Sequence, residues 1–150
     1  MTRFPNGVSA FVFTKGAIAA LPQTAAATIA TVSGGRILVS GIIGEVTTII
    51  GAVANATKLK ATATGLTAVD LSATVELNAA AAQALLTITG TLANAMIKNT
   101  NRNCIFQATP LIITSGVIQV DCAGSDGATG RVQWSFLWTP IDPAAKLVAA

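Results

Sequence analysis

The segment 131–139 carries the strongest structural signal in the sequence. Its side chains alternate, with Val132, Trp134, Phe136 and Trp138 on one side and mostly polar residues on the other. A period of two places these large apolar side chains on one face of a β-strand. The whole chain holds two Trp and five Phe, so we expect the hydrophobic core to take this row of aromatics. A stacking platform for a sugar or a base is the alternative.

The sequence from residue 34 onward shows weaker strand patterns of the same kind. Short runs rich in β-branched residues alternate there with turn residues. Such a pattern is typical of an all-β sandwich or barrel. We therefore predict that 34–150 folds as an antiparallel β-sandwich, jelly-roll-like, with two packed sheets. The expected strands are 36–43, 45–53, 58–64, 69–77, 85–91, 93–97, 105–108, 111–114, 117–122 and 131–139.

The first 33 residues lack this alternation of β-branched runs and turn residues. They begin with three Phe that follow no clean period and continue almost wholly with Ala, Thr, Ile and Gly. We predict an extended N-terminal arm over 1–33 that orders by packing on a partner; a short Ala-rich helix at 17–30 and a disordered tail are the alternatives. Because Phe4, Phe11 and Phe13 have no place in the core of their own domain, we predict that they bind the partner.

The chain lacks the residues on which most enzyme chemistry depends. It contains no His and no Tyr, and its six acidic residues are scattered. Without His there is no general base that works untuned at neutral pH, and the commonest metal ligand is missing. The glycine-rich loop 123–130 lacks the Lys of a phosphate-binding loop, and the oxygens of Asp121, Ser125 and Asp126 are too few for Ca²⁺. We predict no enzyme, and no catalytic, cofactor or metal site.

Charged residues make up 10% of the chain, against about 25% in soluble domains. The net charge of +3 is spread thinly, and Lys58 with Lys60 forms no basic stripe for a nucleic acid. The uncharged stretches 16–35 and 77–97 are rich in Ala and Thr, whereas a membrane span needs large apolar residues. A surface so poor in charge is typical of a subunit covered by other chains. We predict a homo-oligomer with no nucleic-acid or membrane partner.

Cys104 and Cys122 are the two cysteines of the chain. The opening residues do not resemble an export signal, so we expect synthesis in the cytoplasm and reduced thiols; a bridge between neighbouring strands is the alternative. The Asn55-Ala56-Thr57 glycosylation sequon is interpreted as an ordinary turn.

Several short segments resemble structural proteins of tailed phages. The opening segment 1–8, MTRFPNGV, is similar to the starts of several tailed-phage head proteins. Short sequence motifs of small phage structural proteins also resemble this chain at 35–37, 44–48, 110–118, 129–134 and 140–142. The resemblance covers most of the chain. It implies a virion protein that assembles in the host cytoplasm, and it implies no catalytic residue.

The expected function is that of a capsid decoration (cement) protein on the surface of the virion. As a homotrimer, it would bind the lattice of the major capsid protein, add contacts between capsomers and so stabilise the head. A head–tail or tail-tube component is the nearest alternative. A secreted pilin-like or carbohydrate-binding β-sandwich is an alternative from another class, and it requires an export signal and a Cys104–Cys122 disulfide.

Overall fold

The computed structural model describes residues 11–103, 107–125 and 129–150. Within these ranges the chain has no helix, and its strands form two six-stranded antiparallel sheets around one hydrophobic core. The predicted antiparallel β-sandwich is therefore confirmed. None of the described residues belongs to a helix long and apolar enough to cross a membrane.

Twelve strands are found among the described residues. They are β1 (Val12–Ala20), β2 (Ala26–Ser33), β3 (Ile37–Thr48), β4 (Ala56–Ala63), β5 (Val69–Asp70), β6 (Val75–Glu76), β7 (Leu85–Thr87), β8 (Ile97–Asn99), β9 (Leu111–Ile113), β10 (Gly116–Cys122), β11 (Arg131–Pro140) and β12 (Lys146–Ala149). The first sheet has the order β1-β11-β3-β7-β8, with β9 beside β3. The second has the order β12-β2-β10-β4-β5, with β6 beside β4.

The aromatic row of β11 forms the wall of the core. Val132, Trp134, Phe136 and Trp138 are all at most 6% exposed. Successive side chains of a strand point to opposite faces of the sheet, so these four residues share one face. Because they are buried, this is the face that packs against the second sheet. The core interpretation of this row is confirmed, and the interpretation as a stacking platform is wrong because a buried ring offers no face to a ligand.

The N-terminal region differs from the prediction. Of the predicted arm 1–33, the part from Val12 onward supplies β1, which pairs with β11, and β2, which pairs with β10 and β12. The alternative of a short helix at 17–30 is wrong for the same reason. The small side chains Ala30 and Val32 of β2 are buried in the core. Pairing in the sheet also satisfies the backbone amides and carbonyls of these strands. Residues 1–10 lie outside the described residues.

The two strands predicted at 36–43 and 45–53 form one strand, β3, and 49–55 is a loop. The register of β3 against β11 shifts between Leu137 and Trp138, opposite Gly41 and Val39. A β-bulge bends a strand without ending it, and glycine inside a strand often marks such a position. The predicted strand boundary at residue 44 is wrong, because Gly44 pairs with Trp134 in continuous register, and the bulge lies beside Gly41.

Contacts between the sheets close both sides of the sandwich. On one side, the amide of Ala17 in β1 donates to the carbonyl oxygen of Ala150, at 2.7 Å, next to β12. On the other side, Ala73 and Ala95 form an isolated parallel bridge between the β5–β6 segment and the segment before β8. The two outer faces of the sandwich thus point in opposite directions and are separated by the core.

Candidate interaction surfaces

The outer face of the second sheet exposes Val148, and the lysines of β4 on this face are balanced by carboxylates. Lys58 Nζ lies 2.7 Å from Asp70 Oδ2, and Lys60 Nζ lies 3.1 Å from Asp121 Oδ2. The hydrogen bond that Lys58 donates to Asp70 raises the pKa of Lys58, against a smaller opposing effect of burial. Each lysine of this pair on β4 is therefore neutralised by a carboxylate on a neighbouring strand. This face suits contact with water, and it is not a basic patch.

The outer face of the first sheet carries five large apolar side chains among polar ones. We call Phe13, Ile18, Leu38, Ile43 and Leu137 the apolar face. Their outward direction follows from the register: Phe13 pairs with Leu137, Ile18 with Gln133 and Ile43 with Ser135, and these β11 residues alternate with the buried aromatics.

Three charged residues, Lys15, Glu45 and Arg131, share this outer face with the apolar side chains. Lys15 and Glu45 pair with Ser135 and Gln133 of β11, so they lie on the same side of the sheet. The five apolar side chains could lose water to a partner, while Lys15, Glu45 and Arg131 place charges without an ion pair among the described residues on the same face.

The structure places two of the three predicted partner-binding residues. Phe11 is 57% exposed immediately before β1, and Phe13 is 60% exposed within β1. They belong to an edge strand of the sandwich, and Phe13 lies beside Leu137 on the apolar face. Phe4 lies outside the described residues. Sequence reasoning missed Leu38, Ile43 and Leu137; the signal for Leu137 was its place as the one large apolar residue on the polar side of 131–139.

A second apolar surface is a groove of about 260 Å³ where β5 of one sheet approaches β9 of the other. Leu66, Val69, Leu92 and Ile112 are exposed around it, and Ile113 is buried at its floor. No charged residue lines the groove within the described part of the chain. We refer to these five residues as the apolar groove. Ile112 pairs with Leu38, so the groove adjoins the apolar face.

The glycosylation sequon has a structural role. Asn55 and Thr57 are fully buried. Asn55 Oδ1 accepts a hydrogen bond from the Gly124 amide at 3.1 Å, and the Thr57 hydroxyl lies 3.5 Å from the sulfur of Cys122. The folded protein therefore does not present Asn55 for modification. Cys104 lies outside the described residues, so the state of the two thiols stays a prediction.

The glycine-rich loop after β10 is the remaining candidate for a ligand-binding site. Asp121, which would have contributed oxygens to Ca²⁺, is held by Lys60. A β-carbon on Gly124 would lie 2.0 Å from the carbonyl oxygen of Ala54, so this glycine permits a close backbone approach. Asp126 lies outside the described residues. Among the described residues, no three His, Cys, Asp or Glu side chains are grouped so as to hold a metal ion.

An ion pair at one end of the sandwich has a structural explanation too. The guanidinium and the backbone amide of Arg36 donate to the carboxylate of Asp142, with distances of 2.7 to 3.0 Å. The side-chain hydrogen bonds of Arg36, followed by the backbone one, lower the pKa of Asp142 to about 2. The pair joins the turn before β3 to the turn after β11. An acid with so low a pKa stays ionised at neutral pH and is unsuited to donate a proton.

Comparisons with known protein families, with curated proteins and with solved structures find no match to this chain.

Proposed function

We propose that this protein is a phage virion structural protein of the capsid decoration (cement) type, which binds the lattice of the major capsid protein through its apolar face. The observation that carries the proposal is the contrast between the two outer faces of the sandwich. One face exposes Phe13 beside Leu137, and the other pairs Lys58 and Lys60 with carboxylates. Such a molecule suits attachment by one side to a larger surface.

The energetics favour the aromatic anchor. Complete burial of a Phe side chain contributes about 1.5–3 kcal/mol, and about 60% of Phe13 is still available for burial. Phe13 is already ordered within a paired strand, so its burial avoids the cost of about 1–2 kcal/mol per residue for fixing a flexible backbone. An anchor on a sheet is therefore more effective than the same residue on a flexible arm.

The phage context comes from the short motifs described above, and the geometry weakens one alternative. A carbohydrate-binding sandwich would use the row Trp134, Phe136 and Trp138, which is buried here. A head–tail or tail-tube component would share the phage motifs, and it differs from a decoration protein in how many copies a particle carries.

The copy number decides between these possibilities. Particles made by the genome that encodes this chain are purified, and quantitative mass spectrometry compares this protein with the major capsid protein. A decoration protein is expected at a copy number comparable with that of the capsid subunit. A small number of copies per particle would indicate the head–tail junction, and absence from the particles would refute the virion role.

A further inference from the structure

The apolar groove combines high exposure with low polarity. Leu66 is 70% exposed, Ile112 is 66% exposed, and Val69 and Leu92 complete the rim. Side chains of this size are seldom left in water together without a binding role. The volume of about 260 Å³ suits one or two inserted side chains. A stable interface between folded domains is much larger, at about 800 Å² per partner. The groove therefore fits a short segment better than a folded domain.

The walls of the groove are strand edges. Within the described residues, β5 pairs with β4 alone and β9 pairs with β3 alone. An edge strand beside an apolar pocket can accept an extended segment, because its free amides and carbonyls bind the backbone while the pocket takes a side chain. The expected ligand is an extended, weakly charged segment with a large apolar side chain.

Residues 1–10 have this chemistry and lie within reach. They carry one charge, at Arg3, and one aromatic, Phe4. Along the first sheet, Val12 pairs with Trp138, Trp138 with Val39, and Val39 with Leu111.

The start of β1 is therefore three strand spacings from β9, or about 14 Å. Phe4 precedes Phe11 by seven residues (11 − 4), and an extended chain of that length spans about 23–25 Å. The tether is thus long enough for Phe4 to reach the groove at the same end of the sandwich.

We propose that the apolar groove is the binding site for residues 1–10 of the same chain, with the Phe4 side chain placed between Leu66 and Ile112. A short tether gives the segment an effective concentration in the millimolar range, which favours it over a second copy. The assignment gives the three phenylalanines different roles: Phe4 binds in the groove, whereas Phe11 and Phe13 stay exposed and available to a partner. It does not depend on the virion role.

Site-specific photo-cross-linking tests this assignment in the full-length protein. Phe4 is replaced by p-benzoylphenylalanine, which keeps an aromatic ring at this position, and cross-links are mapped by mass spectrometry after irradiation. The expected cross-links join position 4 to 61–71 or 111–114 within one polypeptide. The same replacement at Phe13, which lies on the apolar face, is the matched control and should give none to these segments.

A second variant keeps the test decisive. Leu66→Asp adds a charge to a rim that offers it no partner, and we expect the cross-link yield from position 4 to fall about tenfold. Val148→Asp, a comparably exposed site on β12 at the other edge of the second sheet, should leave the yield unchanged. A cross-linked dimer through the groove would overturn the proposal in favour of a second copy. Cross-links that avoid the groove, or a yield unaffected by Leu66→Asp, would overturn it outright.

Discussion

Gly44 of β3 faces the indole of Trp134, and this contact gives the sharpest test of the core. A β-carbon on Gly44 would lie 2.7 Å from Cζ3 of Trp134, 2.9 Å from Cη2 and 3.0 Å from Cε3. Trp134 is 4% exposed, and Leu86, which pairs with Gly44 on its other side, is fully buried. The indole therefore has no free space into which it can move.

Two effects of opposite sign decide the free-energy change of Gly44→Ala. Replacing glycine by alanine inside a strand stabilises by about 0.5–1 kcal/mol through backbone entropy. Overpacking a full core costs about 1–3 kcal/mol. Because the added methyl meets three atoms of a rigid ring, we expect the second effect to win and the variant to lose about 1–2 kcal/mol.

The sign should reverse when the ring is removed. In a Trp134→Leu background the Gly44→Ala change meets no indole, so only the entropic gain of about 0.5–1 kcal/mol remains. A Trp138→Leu background is the control, because it shortens a neighbouring aromatic of β11 and keeps the Trp134 contact. Urea unfolding followed by circular dichroism gives the free energies of unfolding. An equal effect of Gly44→Ala in all three backgrounds would refute the placement of Trp134 against Gly44.

Further predictions concern the ion pair, the apolar face and the thiols. The pKa of Asp142 is lowered from 3.8 to about 2 in the folded protein, so its carboxylate stabilises the fold above about pH 4 and this contribution is lost as the pH falls towards 2. Asp142→Asn should lower the melting temperature at pH 7, and its difference from the parent should shrink between pH 4 and 2. Phe13→Asp should weaken binding to particles by about tenfold or more, whereas Val148→Asp, equally exposed on the other sheet, should not. Alkylation of the unfolded, unreduced protein should label both Cys104 and Cys122; labelling of neither would support the secreted alternative.

The sequence allowed the architecture to be predicted where side chains of contrasting polarity alternate. β11, with its buried aromatics, and β4, with lysines opposite Leu59, were found at nearly their observed positions. β1 and β2 were missed because Ala and Thr differ little in polarity, so their period of two is hardly visible. Their strand character comes from pairing with β11 and β10, which is a tertiary effect that no local pattern carries.

The candidate surfaces were predictable only in part, for a related reason. An exposed Phe13 could be expected from the sequence, since it belongs to no periodic run. Its neighbour Leu137 is 124 residues away in the chain (137 − 13), and the two meet through the register of β1 on β11. The apolar groove draws Leu66, Leu92 and Ile112 from three separate segments. Such surfaces depend on strand order, which hydrophobic patterning does not specify.

The distribution of charge bears on how the molecule is attached. All three ion pairs among the described residues lie on the second sheet or at the Arg36 turn. The two sheets therefore differ in how their charges are paired: those of the second sheet are balanced, whereas Lys15, Glu45 and Arg131 of the first sheet have no ion pair among the described residues. A subunit enclosed on both sides by neighbours, as in the wall of a tube, would gain from two apolar faces, and buried ion pairs such as Lys60–Asp121 would cost it desolvation. A molecule with exposed apolar side chains on one face and paired charges on the other instead suits the proposed attachment by one side, with the second sheet in water.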